Sequence, residues 1–164
     1  MFTDKTKIKI FISTTLSRGY FIETAMMEFY RSQEEGESFA VIMFDLNDFK
    51  SINDIYGHAI GDEALRLTSD ACKTQLRDCD LFSRYGGDEF IALIPNIDKE
   101  LTISIGQRVS KAVSALKLGE IELSLSWGMS LNTKEDKALD DVIARADLMM
   151  YKMKATHHRS EGSN

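Results

Sequence analysis

The chain has 164 residues, 43% of them hydrophobic and 28% charged, with 26 acids against 20 bases and a net charge of -6. That length buries one sizeable core rather than two. The acidic balance excludes a general affinity for nucleic acid or anionic membrane, so any polyanion has to be met by a local basic pocket.

Residues 1–16 read as a lead segment whose apolar run, KIKIFI, is far too short to span a bilayer and has no cleavage site. Ser17 can cap a helix from Arg18 to about Arg31, with Phe21, Ala25 and Phe29 on one face at i, i+4 spacing. FAVIMF, Phe39 to Phe44, is continuously apolar, which predicts a central strand covered on both faces. It delivers Asp45 at its C-terminal end. After LNDFKSINDIYGHAIG a helix is expected from Asp62 to about Leu76, carrying Leu65 and Cys72 and acids in its first turn.

RYGGDEF, Arg84 to Phe90, reads as a hairpin whose two glycines supply positive φ, flanked by Leu81 to Tyr85 and by FIALIP. A third helix is expected over Lys99 to Lys117, buried through Leu101, Ile105, Val109, Val113 and Leu116 and stopped by Gly119. IELSLSWGMS alternates like a half-buried strand. Leu139 to Lys154 forms a last amphipathic helix with the stripe Leu139, Val142, Ile143, Ala146, Met149, Met150 and Met153. Beyond it, 157–164 is polar and expected to fray. The order predicts an α/β (α+β) sandwich, its mixed sheet covered by helices. Cys72 and Cys79 have neither metal-ligand spacing nor a disulfide framework, so a reducing cytoplasm is the expected compartment.

Two adjacent acids at a hairpin mouth call for a reason. If the strand ending at Asp45 pairs with the arm starting at Asp88, their carboxylates converge. Two hard oxygens with room left over suit magnesium and two-metal phosphoryl chemistry. Glu89 alternates to the other side of the arm unless the turn twists it back. The plainer alternative for each acid is a solvated carboxylate beside a turn.

The sequence resembles the GGDEF family of diguanylate cyclases over roughly Ser17 to Lys154. The resemblance rests on FDLNDFKSINDIYGHAIGD (Phe44 to Asp62), RYGGDEF, SWG (Ser126 to Gly128) and ADLMMYKMK (Ala146 to Lys154). It implies a nucleotidyl-cyclase-like fold over 17–156, its sheet mainly antiparallel. It also implies two magnesium ions per half-site, which manganese can replace, held by Asp45, the Leu46 carbonyl and Asp88, with Glu89 a further ligand or the helper that deprotonates the attacking hydroxyl. Gly86 and Gly87 then let backbone approach nucleotide, where a Cβ would collide.

Asn53 and Asp62 match the family's guanine-reading pair. Guanine offers N1-H and N2-H₂ donors to such acceptors, and adenine does not; turn and helix capping are the alternative roles. The triphosphate is assigned to backbone amides around Asp48 and Phe49, to Lys50 and to Lys154. Three departures stand out: His158 replaces an arginine, Ile10 to Ser13 replace an Asp-x-Leu-Thr whose missing acid leaves Arg84 without a counterpart, and Asn47 replaces an acid. Arg77 and Asp80 fall on the family's inhibitory product site, with Arg108 as a second arginine; a surface ion pair is the plainer reading of Arg77 and Asp80.

The implied activity condenses two GTP into cyclic di-GMP and two pyrophosphates across a homodimer, controlled by an upstream sensory module or partner protein and without nucleic acid or membrane contact. A catalytically weak receptor for cyclic di-GMP is the alternative, and Asp62 disfavours a cyclase of relaxed base choice.

Overall fold

The computed structural model describes residues 15–162; Ile10 to Ser13 and KIKIFI lie outside them. Helix α1 spans Arg18–Glu35, β1 Phe39–Leu46, α2 Phe49–Tyr56, α3 His58–Thr74, β2 Leu81–Arg84, β3 Glu89–Pro95, α4 Lys99–Ser114, β4 Leu125–Leu131 and α5 Leu139–Glu161. The sheet order is β2-β3-β1-β4 and every strand pair is antiparallel. A single parallel bridge, Leu16 to Ser83, adds the mixed element among the described residues.

All eight residues of β1 are buried, as an unbroken apolar run requires. Their alternation divides the core. Ala40, Ile42, Phe44 and Leu46 face a layer containing Ile52 of α2, Leu65 and Cys72 of α3, and Ile105, Val109 and Val113 of α4. Phe39, Val41 and Met43 face Phe21, Ala25 and Phe29 of α1 and Val142, Ala146 and Met150 of α5. Each large side chain so buried contributes about 1.5–3 kcal/mol.

Ser17 caps α1 as expected, its Oγ accepting from Tyr20 N. The helix runs past Arg31 to a left-handed Gly36 whose N-H caps Ser32 O. Helix α3 starts at His58, not Asp62, with Gly57 as its cap and no acid in its first turn. Asp62 therefore caps nothing. An additional helix, α2, occupies the segment before it. Helix α4 ends at Ser114, and Gly119 (φ 59°) belongs instead to the turn closed by the Leu118 to Ile121 bridge. On α4 the stripe is shifted: Leu101 is exposed and Thr102 is buried. Met149 and Met153 are likewise exposed, and α5 continues through Glu161, which places His157 and His158 on its last turns.

Helix α5 lies directly on β4 at Gly128, where a Cβ would meet Met150 N at 2.1 Å and Ala146 O at 2.4 Å. The loop before α5 is braced by Asp136, whose nearly buried carboxylate accepts from Arg145 Nη2 at 2.9 Å and Thr133 N at 2.7 Å. The Arg145 hydrogen bond, opposed by burial, holds the Asp136 carboxyl below the ordinary carboxylate range. A depressed carboxyl contributes stability that is present above its unfolded value, near pH 4, and is lost as pH falls through the folded value. Asp136→Asn should therefore cost about 1–3 kcal/mol at neutral pH, with the gap to wild type closing in acid. Urea unfolding at about pH 7 and about pH 3 measures both; a gap that persists in acid would refer the effect to packing. Among the described residues, no helix is long and apolar enough to cross a membrane.

Candidate active site

Asp45 is the seventh residue of β1 and is 3% exposed. The register sets it opposite Glu89 on one side and Ser126 on the other. Cross-strand partners share a face, so Glu89 lies on the same side as Asp45, contrary to the expected alternation away from it. Asp88 stands just before β3, and its carbonyl accepts Leu46 N at 3.0 Å, which ties the turn to the end of β1. From the second layer Lys154 Nζ donates to Asp45 Oδ1 at 2.8 Å.

Charge is crowded here. Burial raises the pKa of Asp45, and Asp88 and Asp147 push the same way against the Lys154 hydrogen bond. Glu89 is raised by burial and then by Asp45, Asp147 and Asp88. Burial works against the Lys154 ammonium, but the Asp45 hydrogen bond and the charges of Asp45, Asp88 and Glu89 outweigh it, so its pKa is raised. Such repulsion is what a divalent cation relieves. Among the described residues no three Asp, Glu, His or Cys side chains gather tightly enough to hold an ion alone. A hard ion that completes its shell with waters and phosphate oxygens fits this sparse donor set.

The signature turn differs from the expected two-residue loop. Four residues, Tyr85 to Asp88, join β2 and β3, and neither Gly86 nor Gly87 has positive φ. Among the described residues, nothing stands within 4 Å of where a Gly87 Cβ would go, and a Gly86 Cβ would meet Glu89 Oε2 at 3.4 Å. Arg84 has a counterpart after all: it donates to Gly86 O at 3.3 Å and to Gly87 O at 2.7 Å.

Beyond β1, Asn47 is buried, receiving a hydrogen bond from Ser126 Oγ at 2.7 Å and donating to Ser124 Oγ at 3.0 Å. An amide both accepts and donates, and this position uses both functions. Asp48 is left-handed (φ 57°) and precedes the first turn of α2, where Phe49 is half-buried and Lys50 exposed. Asp48 Oδ2 lies 3.3 Å from His157 Nε2, while His158 is exposed. The histidine that reaches this loop is thus His157, which sequence reasoning did not select; nor did it select Asp147.

Asn53 packs against Gly61, the residue before Asp62: its Oδ1 is buried with no hydrogen-bond partner among the described residues, and a Cβ on Gly61 would fall 1.8 Å from it. Asp62 is exposed at the rim of a cleft of about 420 Å³ that Leu65, Arg66, Arg84 and Phe90 also line.

The RDCD turn lies apart from these groups. Arg77 Nη2 donates to Asp80 Oδ1 at 3.0 Å and to Pro95 O at 2.9 Å, and the Asp80 side chain is fully buried. Arg108 Nη2 donates to Gln75 O at 2.9 Å, so both arginines gather at the end of α3. On the α1 side of this turn a groove of about 590 Å³ is lined by Leu16, Tyr20, Met27 and Phe82 together with Arg77 and Asp80.

A four-stranded antiparallel sheet between two helix layers, with acids gathered at the end of its central strand, is the architecture of nucleotidyl-cyclase-like α/β domains. Residues 12–160 match the family described as "Diguanylate cyclase, GGDEF domain", and the chain belongs to that family. It is 30% identical over 151 residues to diguanylate cyclase A of Treponema denticola, covering 87% of this chain and 41% of that protein. Among solved structures, the diguanylate cyclase SiaD of Pseudomonas aeruginosa in complex with its activator SiaC superposes with a TM-score of 0.82 at 27% identity, over 93% of this chain and 60% of SiaD. The GGDEF domain of DgcB from Caulobacter crescentus in complex with c-di-GMP gives a TM-score of 0.84 at 21% identity over 88% of each chain, a likeness of fold. This chain thus spans less than half the length of the Treponema relative.

Proposed function

We propose that this domain condenses two GTP molecules into cyclic di-GMP with release of two pyrophosphates, each subunit of a transient homodimer presenting one GTP. The observation that carries the reading is the meeting of Asp45, Glu89 and the Asp88 turn beneath the ammonium of Lys154. Asp45, the Leu46 carbonyl and Asp88, with Glu89 beside them, would hold magnesium, or manganese in its place. Bound there, the ions would neutralise charge developing on the phosphoryl oxygens. Lys154, Lys50 and the first-turn amides of α2 receive the triphosphate, since a helix N-terminus and point charges both suit phosphate. Asn53 and Asp62 read the guanine edge. Glu89, paired with Asp45 across the strands and so on the same face, would serve as a further metal ligand or take the proton of the attacking hydroxyl. The free thiols Cys72 and Cys79 accord with a cytoplasmic setting.

Because two loaded subunits must meet, activity per molecule should rise with protein concentration. In the weak-dimer limit a tenfold dilution cuts it about tenfold. Incubation with GTP and magnesium across a dilution series, with mass analysis of products, tests both points; a constant rate per subunit would contradict the weak dimer, and persistent GTP at high concentration would contradict the cyclase reading.

The gathering of Arg77 and Arg108 at one helix end favours product binding there, either as an inhibitory site or as the whole function of a receptor. Arg77→Ala should weaken cyclic di-GMP binding by about one to two decades, the loss of a bidentate guanine contact worth about 1–3 kcal/mol. Calorimetric titration measures it directly. Equal affinity in both proteins would remove the site.

A further inference from the structure

We infer that Arg18, at the first position of α1, is a positioning residue for the signature turn; this rests on the cyclase reading above. Four consecutive carbonyls of the turn are engaged. Arg18 Nη1 donates to Tyr85 O at 3.1 Å, Arg84 donates to Gly86 O and Gly87 O, and Leu46 N donates to Asp88 O. On the inner side, Tyr85 N and Gly86 N both donate to Glu89 O, at 2.8 and 3.3 Å. The Arg18 guanidinium also stacks on the Tyr85 ring, with Cζ 4.2 Å from the centroid.

Arg84 and Leu46 belong to the sheet that bears the turn. Arg18 belongs to another element, and the residues before it are sewn to the sheet edge. Leu16 N donates to Phe82 O at 3.1 Å, Ser83 Oγ donates to Leu16 O at 2.8 Å, and Thr15 Oγ1 lies 2.8 Å from Ser69 Oγ of α3. Residues 15–18 therefore form one continuous path from the outer edge of β2 to the turn that carries Asp88 and Glu89. Arg18 touches neither acid. Its effect is to hold the backbone from which both project, so its removal loosens the placing of the acids and leaves the triphosphate and base contacts in place.

The test compares wild type with Arg18→Ala, Arg18→Lys, Tyr85→Ala and the double variant Arg18→Ala/Tyr85→Ala. For Arg18→Ala, kcat should fall between about threefold and thirtyfold with KM for GTP within about twofold, since misplacing reacting groups by a fraction of an ångström slows chemistry more than binding. Lysine should restore most of the rate, because it still donates to the carbonyl and sits over the ring. The double variant should lose no more than the worse single variant. Hydrogen exchange of the amides from Gly86 to Glu89 should quicken about tenfold in Arg18→Ala. An unchanged kcat, a loss confined to KM, or multiplying single effects would each overturn the assignment. If wild type makes no cyclic di-GMP, the cyclase reading fails on its own account and the exchange measurement decides whether Arg18 holds the turn, unaltered exchange refuting it.

Discussion

Asp45→Asn should lower the rate of cyclic di-GMP formation by roughly 10² to 10³ or more, as Asp88→Ala should, because charge stabilisation disappears where negative charge develops. Asparagine matches aspartate in shape, so the buried end of β1 keeps its packing. Burial and the neighbouring acids already disfavour the Asp45 charge, so the fold loses little with it; what remains is Lys154, now facing Asp88 and Glu89 with a neutral amide oxygen where its charged partner stood. Initial rates at saturating GTP and magnesium, with a thermal melt of each variant, separate chemistry from folding. A folded Asp45→Asn protein turning over at near-normal rates would remove Asp45 from the metal set.

Asp62→Ala should erode the preference for GTP over ATP by about one to two decades, the worth of a hydrogen bond to a charged group at roughly 1.5–3 kcal/mol. A site built on such bonds rejects the wrong base because its polar groups would be left unpaired. The position of Asp62 makes the experiment clean. Since α3 begins at His58 and is capped by Gly57, the exposed Asp62 side chain is not needed to start the helix, and alanine is a better helix former in its interior. Competition between the two nucleotides gives the ratio directly. An unchanged preference would transfer base reading to Asn53 and the walls of the cleft.

Local signals in the sequence were sufficient for the elements nearest the site. Ser17 announced α1, the FAVIMF run announced the central strand, and the apolar arms around RYGGDEF announced β2 and β3. Helix α2 escaped notice because it is only eight residues long and fully buries just one of them, Ile52, so its apolar positions are too few to establish a period. On α5 helical spacing drew in Met149 and Met153: Met149 turns to solvent, while Met153, though exposed along part of its length, sets its sulfur 3.2 Å from Trp127 N of β4. Glu89 illustrates a different limit. Alternation separates it from Asp88, but which of the two faces Asp45 is decided by strand register, a long-range property. Likewise Lys154 and Asp45 meet across 109 positions and His157, not His158, turns toward Asp48; helix rotation of about 100° per residue settles that choice, and nothing local reveals it.

The contact at Gly128 has a mechanical side. Helix α5 is a rod of 23 residues, about 34 Å long, and it rests on β4 backbone to backbone at Ala146 and Met150. One turn past that fulcrum stands Lys154. With no side chain between rod and strand there is no soft spacer to absorb a tilt, so any force that rocks the far end of α5 is delivered as a displacement of the ammonium relative to Asp45. The charge balance of the site is geared to the pitch of a helix.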